Sequence, residues 1–275
     1  MVPRSADAMT DMNQLVGSHD LVWIVLDSLR HDIADAELSA GRTPHLAALF
    51  PGGWEKRHSP ASFTYPAHQA FFAGFLPTPA DPKADPQRLF AVKFAGSKST
   101  GPATCVLDGA DVVSGLAERG YHTLCLGGVG FFNGRTPLSR VLPGYFMESH
   151  WTREMGVTSK TSAGQQFALA ARRLAEIPRE TRVFLFINVS AIHAPNHHHV
   201  PGKKSDDPDS HAAALRYVDH CLPTLIEGIG RRGPAHLLAF SDHGTLYGEN
   251  GFTGHRVGHP DVYTVPFAST ILPPA

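Results

Sequence analysis

The sequence predicts an α/β fold in which a mostly parallel central sheet is covered by helices on both faces. Short apolar runs alternate with helical patterns along the chain, the signature of strands joined by crossover helices. The 275 residues are 42% hydrophobic, so a single domain spanning 1–275 can bury a core without disulfides or a partner. The polar residues that interrupt this pattern gather just after the strands, where open α/β sheets collect their ligands.

The first strand is 21–27 (LVWIVLD). Thr43-Pro44 then opens a helix through Leu46 and Leu49, with threonine as cap and proline at the first helical position. The segment Pro60-Ala61-Ser62-Phe63-Thr64-Tyr65-Pro66-Ala67-His68 leads into an apolar helical stretch at 69–75. Because Pro66 suits a first turn, Thr64 is placed at or just before the cap of that helix. Residues 77–104, rich in proline and small side chains, show no period and are read as an insertion capping one edge. A helix at 110–118 ends at Gly120, and the strand 121–126 follows. Further on come a helix at 163–177 ending at Pro178, the strand 183–189, and a long helix at 210–229, where Ala214, Val218, Leu222 and Leu225 recur at helical spacing. The strands 236–241 and 263–271 close the chain.

Composition excludes several function classes. Lysine plus arginine number 24 against 25 acidic residues, and only 18% of residues are charged, so no basic face for nucleic acid is expected. Cys105, Cys125 and Cys221 are odd in number, widely spaced and lack a Cys-x-x-Cys pair, which argues against a disulfide framework or thiolate zinc site and for a cytoplasmic setting. Residues 1–20 are polar and no later run reaches ~18 apolar residues, so neither a secretion signal nor a membrane span is expected. There is no Gly-x-Ser-x-Gly elbow, Walker sequence or His-Glu-x-x-His. Gly128-Val129-Gly130-Phe131-Phe132-Asn133-Gly134 follows a strand, but no helix pattern begins there; it is read as a glycine turn with positive φ bordering the pocket rather than a dinucleotide loop. Phe131, Phe132 and Trp151 are candidates for lining a pocket for an organic group.

The anomaly of the composition is its 17 histidines, since imidazole is both a common metal ligand and a proton carrier near neutral pH. The first strand ends Leu26-Asp27-Ser28-Leu29-Arg30, the 183–189 strand runs into Ser190-Ala191-Ile192-His193-Ala194-Pro195-Asn196-His197, and the 236–241 strand runs into Asp242-His243-Gly244. Asp27, Asp242 and His243 would converge on a divalent cation at the carboxyl edge of the sheet. Thr64, at a helix N-terminus where free N–H groups favour an anion, is the candidate nucleophile that such a cation would activate. His58, His68, His122 and His236 are read as structural or as supporting groups, with His68 the best placed of them for function, and His198 and His199 as a solvated loop.

Taken in order, Val25-Leu26-Asp27-Ser28-Leu29-Arg30, Thr64-Tyr65-Pro66-Ala67-His68 with Ala73-Gly74-Phe75-Leu76-Pro77, His193-Ala194-Pro195, Tyr217-Val218-Asp219, Ser241-Asp242-His243-Gly244 through Gly248-Glu249-Asn250-Gly251, Gly254-His255 and Val265-Pro266-Phe267 span most of the chain. This series resembles the alkaline phosphatase superfamily, within it the sulfatase-like and phosphodiesterase-like branches. The resemblance implies a reduced three-layer sandwich, a first metal site of Asp27, Thr64, Asp242 and His243, and a second drawing on His193 and His197 with His259 or His255 as the late ligand. One or two divalent ions are implied, zinc or manganese first, with iron, magnesium and calcium as alternatives. Ser28 stands where sulfatases carry a second aspartate, His193 where two-metal members carry an aspartate, and His68 in the place of the arginine of the absent Cys-x-Pro-x-Arg motif. Those departures disfavour sulfate-ester cleavage by a modified cysteine. They favour hydrolysis of a small-molecule phosphate or phosphonate ester by Thr64, with His193 and His255 stabilising charge on the leaving oxygen. Two rivals are a phosphotransferase or mutase, and a non-catalytic metal-binding accessory protein. No nucleic-acid or membrane partner is expected, and the oligomeric state is left open.

Overall fold

Strand β1 (Asp20–Leu26) lies at the centre of a seven-stranded sheet. To one side of it run β7 (Val183–Val189), β5 (His122–Leu126) and the edge strand β6 (Glu148–His150), all parallel. To the other side run β8 (Ala235–Phe240), also parallel, then β11 (Thr264–Leu272) antiparallel to β8, and β2 (Glu55–His58) antiparallel to β11. The fold is therefore the expected α/β sandwich with a mostly parallel sheet. In this computed structural model the described residues are 10–74, 89–91, 104–106 and 110–274. The cap expected at 77–104 falls largely outside them; only the short parallel pair β3 (Leu89–Ala91) and β4 (Thr104–Val106) is described there.

The two faces of the sheet differ in chemistry because side chains alternate along each strand. Val22, Ile24 and Leu26 of β1 and Val183, Leu185, Ile187 and Val189 of β7 point to an aliphatic core. That core is covered by α6 (Ser162–Glu176), α7 (Pro208–Gly230), α3 (Pro44–Leu49) and α2 (His31–Ser39). On the opposite face Phe184 and Phe186 meet Phe72, Phe132 and Phe146 in an aromatic core beneath α4 (Thr64–Ala73) and α5 (Val112–Glu118). A four-residue helix, α1 (Met12–Leu15), precedes the sheet. No helix among the described residues is long and apolar enough to cross a membrane.

Several elements depart from the sequence reading for identifiable reasons. Edge strand β2 is exposed along its whole length (EKRH), so it carries no apolar pattern to announce it. The long helix begins at Pro208, with Asp207 and Ser210 forming a reciprocal capping box, two residues before the expected start. Thr43 sits at the N-cap of α3 but makes no capping hydrogen bond, and its buried hydroxyl has no hydrogen-bond partner among the described residues. The cap comes from α7 instead: the Asp219 carboxylate accepts from Leu46 N at 2.7 Å and His45 N at 3.4 Å.

Candidate active site

All the parallel strands end at one edge of the sheet, which brings the exits of β1, β7 and β8 together around the end of β1. Asp27 follows β1 and Asp242-His243 follow β8, all three buried. One ligand atom from each lies within 4.8 Å of the other two. The peptide after Asp27 turns through Ser28 at φ 68°, which points its N–H at Asp242 Oδ1 (3.1 Å) and its hydroxyl at Asp27 Oδ1 (3.0 Å). Asp242 Oδ1 also accepts from the His243 N–H at 3.0 Å, while Asp242 Oδ2, fully buried, has no hydrogen-bond partner among the described residues. His243 Nδ1 lies 2.8 Å from Gly244 O, which assigns its proton to Nδ1 and leaves the Nε2 lone pair facing Asp242 Oδ2 (3.6 Å) and Asp27 Oδ1 (3.8 Å). Gly244 permits this turn because a Cβ there would lie 1.9 Å from Asp261 O.

Burial, reinforced by the nearby Asp27 carboxylate, raises the pKa of Asp242 well above the usual carboxylate range. Burial also works to raise Asp27, but the His193 and His243 imidazoles and a hydrogen bond from Asn188 outweigh it and hold Asp27 below that range. Two adjacent carboxylates, one of them with an orphaned oxygen, and an imidazole presenting its lone pair make a donor set that suits a divalent cation. Asp27, Asp242 and His243 thus fit the metal that the fold implies.

Thr64 is the first residue of α4, and its Oγ1 lies 3.3 Å from both Asp27 Oδ2 and His243 Nε2. Its position is fixed from within the helix. His68 is sealed among Phe71, Phe72, Phe132 and Phe186 and donates from Nδ1 to Thr64 O at 2.7 Å. Burial pushes the pKa of His68 down to about 4, so it stays neutral. A cavity of about 510 Å³ opens over Thr64, lined by His193, His255 and Arg256 and by the apolar side chains of Val129, Phe131, Leu138 and Val157. The His255 ring lies over His243, centroids 4.5 Å apart, and meets His193 at 5.6 Å. Burial and the neighbouring imidazoles lower the pKa of His255 to about 4.

The structure thus gathers Asp27, Thr64, Asp242, His243, His193 and His255 at one place. It does not gather His197 and His259 into a second ligand set: among the described residues only the Asp27, Asp242 and His243 group meets the geometry. His197 turns toward Asp206, with Nδ1 2.8 Å from its carboxylate. His259 caps the short helix α8 (Pro260–Tyr263), Nδ1 accepting from Asp261 N, and its Nε2 meets Asn250. Of the aromatic candidates, Phe131 lines the cavity, Phe132 belongs to the core, and Trp151 instead donates from Nε1 to Gly128 O. The glycine run borders the cavity through Gly130, but only Gly134 in it has positive φ. Gly128 is required for close approach, since a Cβ there would lie 2.3 Å from Asn188 O.

Two residues escaped the sequence reading. Asn188, a polar residue inside the apolar strand β7, donates to Asp27 Oδ2 at 2.9 Å and accepts from Val129 N at 3.0 Å, joining the metal ligand to the cavity wall. Its signal was the lone amide in VFLFINV. Arg256, in an unpatterned loop, reaches over Phe63 and gave none.

No protein-family model and no curated protein matches the chain. Solved structures are similar. The C-terminal periplasmic domain of the phosphoethanolamine transferase EptC from Campylobacter jejuni is 12% identical with a TM-score of 0.61, the match covering 91% of this chain and 78% of that one. The corresponding EptC domain from Escherichia coli, in complex with zinc, is 15% identical with a TM-score of 0.60 over 92% and 73% of the two chains. A protein in the alkaline phosphatase superfamily from Vibrio parahaemolyticus is 17% identical with a TM-score of 0.56 over 94% and 61%. The chain therefore has an alkaline phosphatase-like α/β fold, the fold it shares with these structures. Both EptC chains are described as periplasmic domains, which does not accord with the cytoplasmic setting expected from the cysteines.

Proposed function

We propose that the protein is a metal-dependent enzyme that transfers the phosphoryl group of a phosphate or phosphonate ester through Thr64, to an alcohol acceptor or to water. The observation that carries this reading is the placement of Thr64 Oγ1, 3.3 Å from both Asp27 Oδ2 and His243 Nε2, two of the three residues grouped with metal-binding geometry. A divalent cation held by Asp27, Asp242 and His243 would lower the pKa of the Thr64 hydroxyl and offset charge on the transferred group. The residues themselves supply the rest. Helix α4 and His68 hold the hydroxyl at the cavity floor, so an ester bound there meets Oγ1 with its leaving oxygen directed outward, toward His193 and His255. His193 would give a proton to the leaving oxygen as its bond to phosphorus breaks, with neutral His255 as a hydrogen-bond donor beside it; in the second step His193 would take the acceptor's proton as the acceptor oxygen displaces Thr64 Oγ1 from phosphorus.

Transfer to an alcohol is the closer form of the reaction, supported by the description of the Campylobacter neighbour as a transferase; hydrolysis is the same sequence with water as acceptor. Mass spectrometry of the protein quenched during turnover of an aryl phosphodiester should find the phosphoryl group on Thr64, and added alcohols should divert product from the acid to the ester. Bound metal with no turnover of any aryl phosphate, phosphodiester or sulfate would overturn the reading and leave the accessory role. Metal analysis and anomalous scattering would identify the ion, with zinc supported by the E. coli neighbour and manganese the main rival.

A further inference from the structure

We infer that the cavity over Thr64 takes an ester whose organic part carries a negative charge, and that Arg256 is the side chain that selects it. The inference rests on the reading of Thr64 as nucleophile only for which group is transferred. Arg256 has φ 74°, a backbone region that residues with side chains adopt rarely and at a cost. Its N–H donates to Ser62 O at 2.9 Å, and its guanidinium lies over the Phe63 ring at 4.6 Å, one residue before Thr64. Glycine would take this backbone conformation without strain, as Gly254 does two residues earlier at φ 76°, yet the chain spends an arginine there.

What the arginine lacks is also informative. Arg30 is paired with Asp32, Glu249 and Asp261, and Arg232 with Asp20; among the described residues the Arg256 guanidinium meets no carboxylate. It is the only lysine or arginine among the described residues lining the cavity, and that lining contains no aspartate or glutamate. A cationic organic group, such as the aminoethyl group of a phosphoethanolamine, would find no carboxylate in that lining and would share the cavity with the like charge of Arg256. A carboxylate, phosphate or sulfonate offers paired oxygens that match the guanidinium fork. The substrate is thus distinguished from that in the name of the Campylobacter neighbour by the sign of its charge.

The test is a charge-matched series of non-hydrolysable phosphonates titrated into the metal-loaded protein by calorimetry: ethylphosphonate, 2-aminoethylphosphonate, and the anionic 3-phosphonopropanoate, 2-sulfoethylphosphonate and ethylene-1,2-diphosphonate. The tightest of the three anions should bind about tenfold more tightly than ethylphosphonate, with 2-aminoethylphosphonate weakest; their order identifies whether carboxylate, sulfonate or phosphate is preferred. Arg256→Gln should compress the whole range to within about threefold, and Arg256→Lys should keep its sign. Arg256→Gly should lose the selectivity without lowering the melting temperature, which separates recognition from a structural role. Tight binding of 2-aminoethylphosphonate, no binding of any anionic member, or a ranking unchanged in Arg256→Gln would overturn the inference. Because this ranking needs no turnover, it is independent of the phosphoryl adduct on Thr64 by which the nucleophile is judged.

Discussion

The two ends of β1 both bury carboxylates, and they satisfy them in opposite ways. At the start of the strand, Asp20 accepts from Val183 N at 2.9 Å and from Arg232 Nε at 2.8 Å. Arg232 spends its remaining donors on the carbonyls of Leu174, Ile177, Pro178 and Thr181, closing the end of α6. Just past the other end, Asp27 faces Asp242, and among the described residues the pair meets imidazoles but no lysine or arginine. One end carries its own cation, while the other has the geometry of a site built for an imported one. The difference separates a buried charge that serves stability from one that serves chemistry, a distinction that burial alone does not make.

The contrast can be broken most directly at the site. Thr64→Ala should lower turnover at least about a thousandfold while leaving bound metal near wild type, as measured by kinetics beside elemental analysis. At the opposite end, Arg232→Ala leaves Asp20 buried without its cation and should cost about 3–5 kcal/mol in urea unfolding; a cost below about 1 kcal/mol would mean that end is not closed by the pair. A divalent ion at a hundred times its dissociation constant should stabilise the wild type by about 2.7 kcal/mol, and a chelator should remove the gain. In the presence of that chelator Asp242→Asn, which ends the repulsion with Asp27, should raise stability by about 1 kcal/mol while abolishing the response to metal. Equal destabilisation by Asp20→Asn and Asp242→Asn would erase the distinction.

The smallest effect concerns a third carboxylate, Glu148 at the sheet edge. Arg173 holds its pKa down to about 2 against burial, with His150 and His122 adding hydrogen bonds. A depressed pKa means that the folded form binds its proton less readily than the unfolded chain, so the contribution is complete above the ordinary value of 4.5 and fades as pH falls toward 2. Glu148→Gln should flatten acid unfolding in that window by no more than roughly 1 kcal/mol, since the pair is partly solvated.

Much of this was legible in the chain because the relevant signals are local. The central strands are apolar runs, and Asp27 and Asp242-His243 stand immediately after two of them. Pro66 marked the start of α4 closely enough to single out Thr64. What could not be read depends on contacts between distant segments. Asn188 belongs to the site only because β7 lies beside β1, and Arg256 only because its loop returns to Ser62. His197 and His259 were ligands implied by the family resemblance, but a neighbouring carboxylate claims one and a helix end the other.

The cap on α3 bears on how the molecule is made. Its acceptor, Asp219, lies 173 residues beyond Leu46, so no nascent chain can finish this helix until α7 has been synthesised and docked. The strands that flank β1 are likewise encoded far downstream. An N-terminal portion leaving the ribosome therefore carries apolar surface whose covering elements are still to be made, so the domain matures late, as a whole, rather than from its beginning onward.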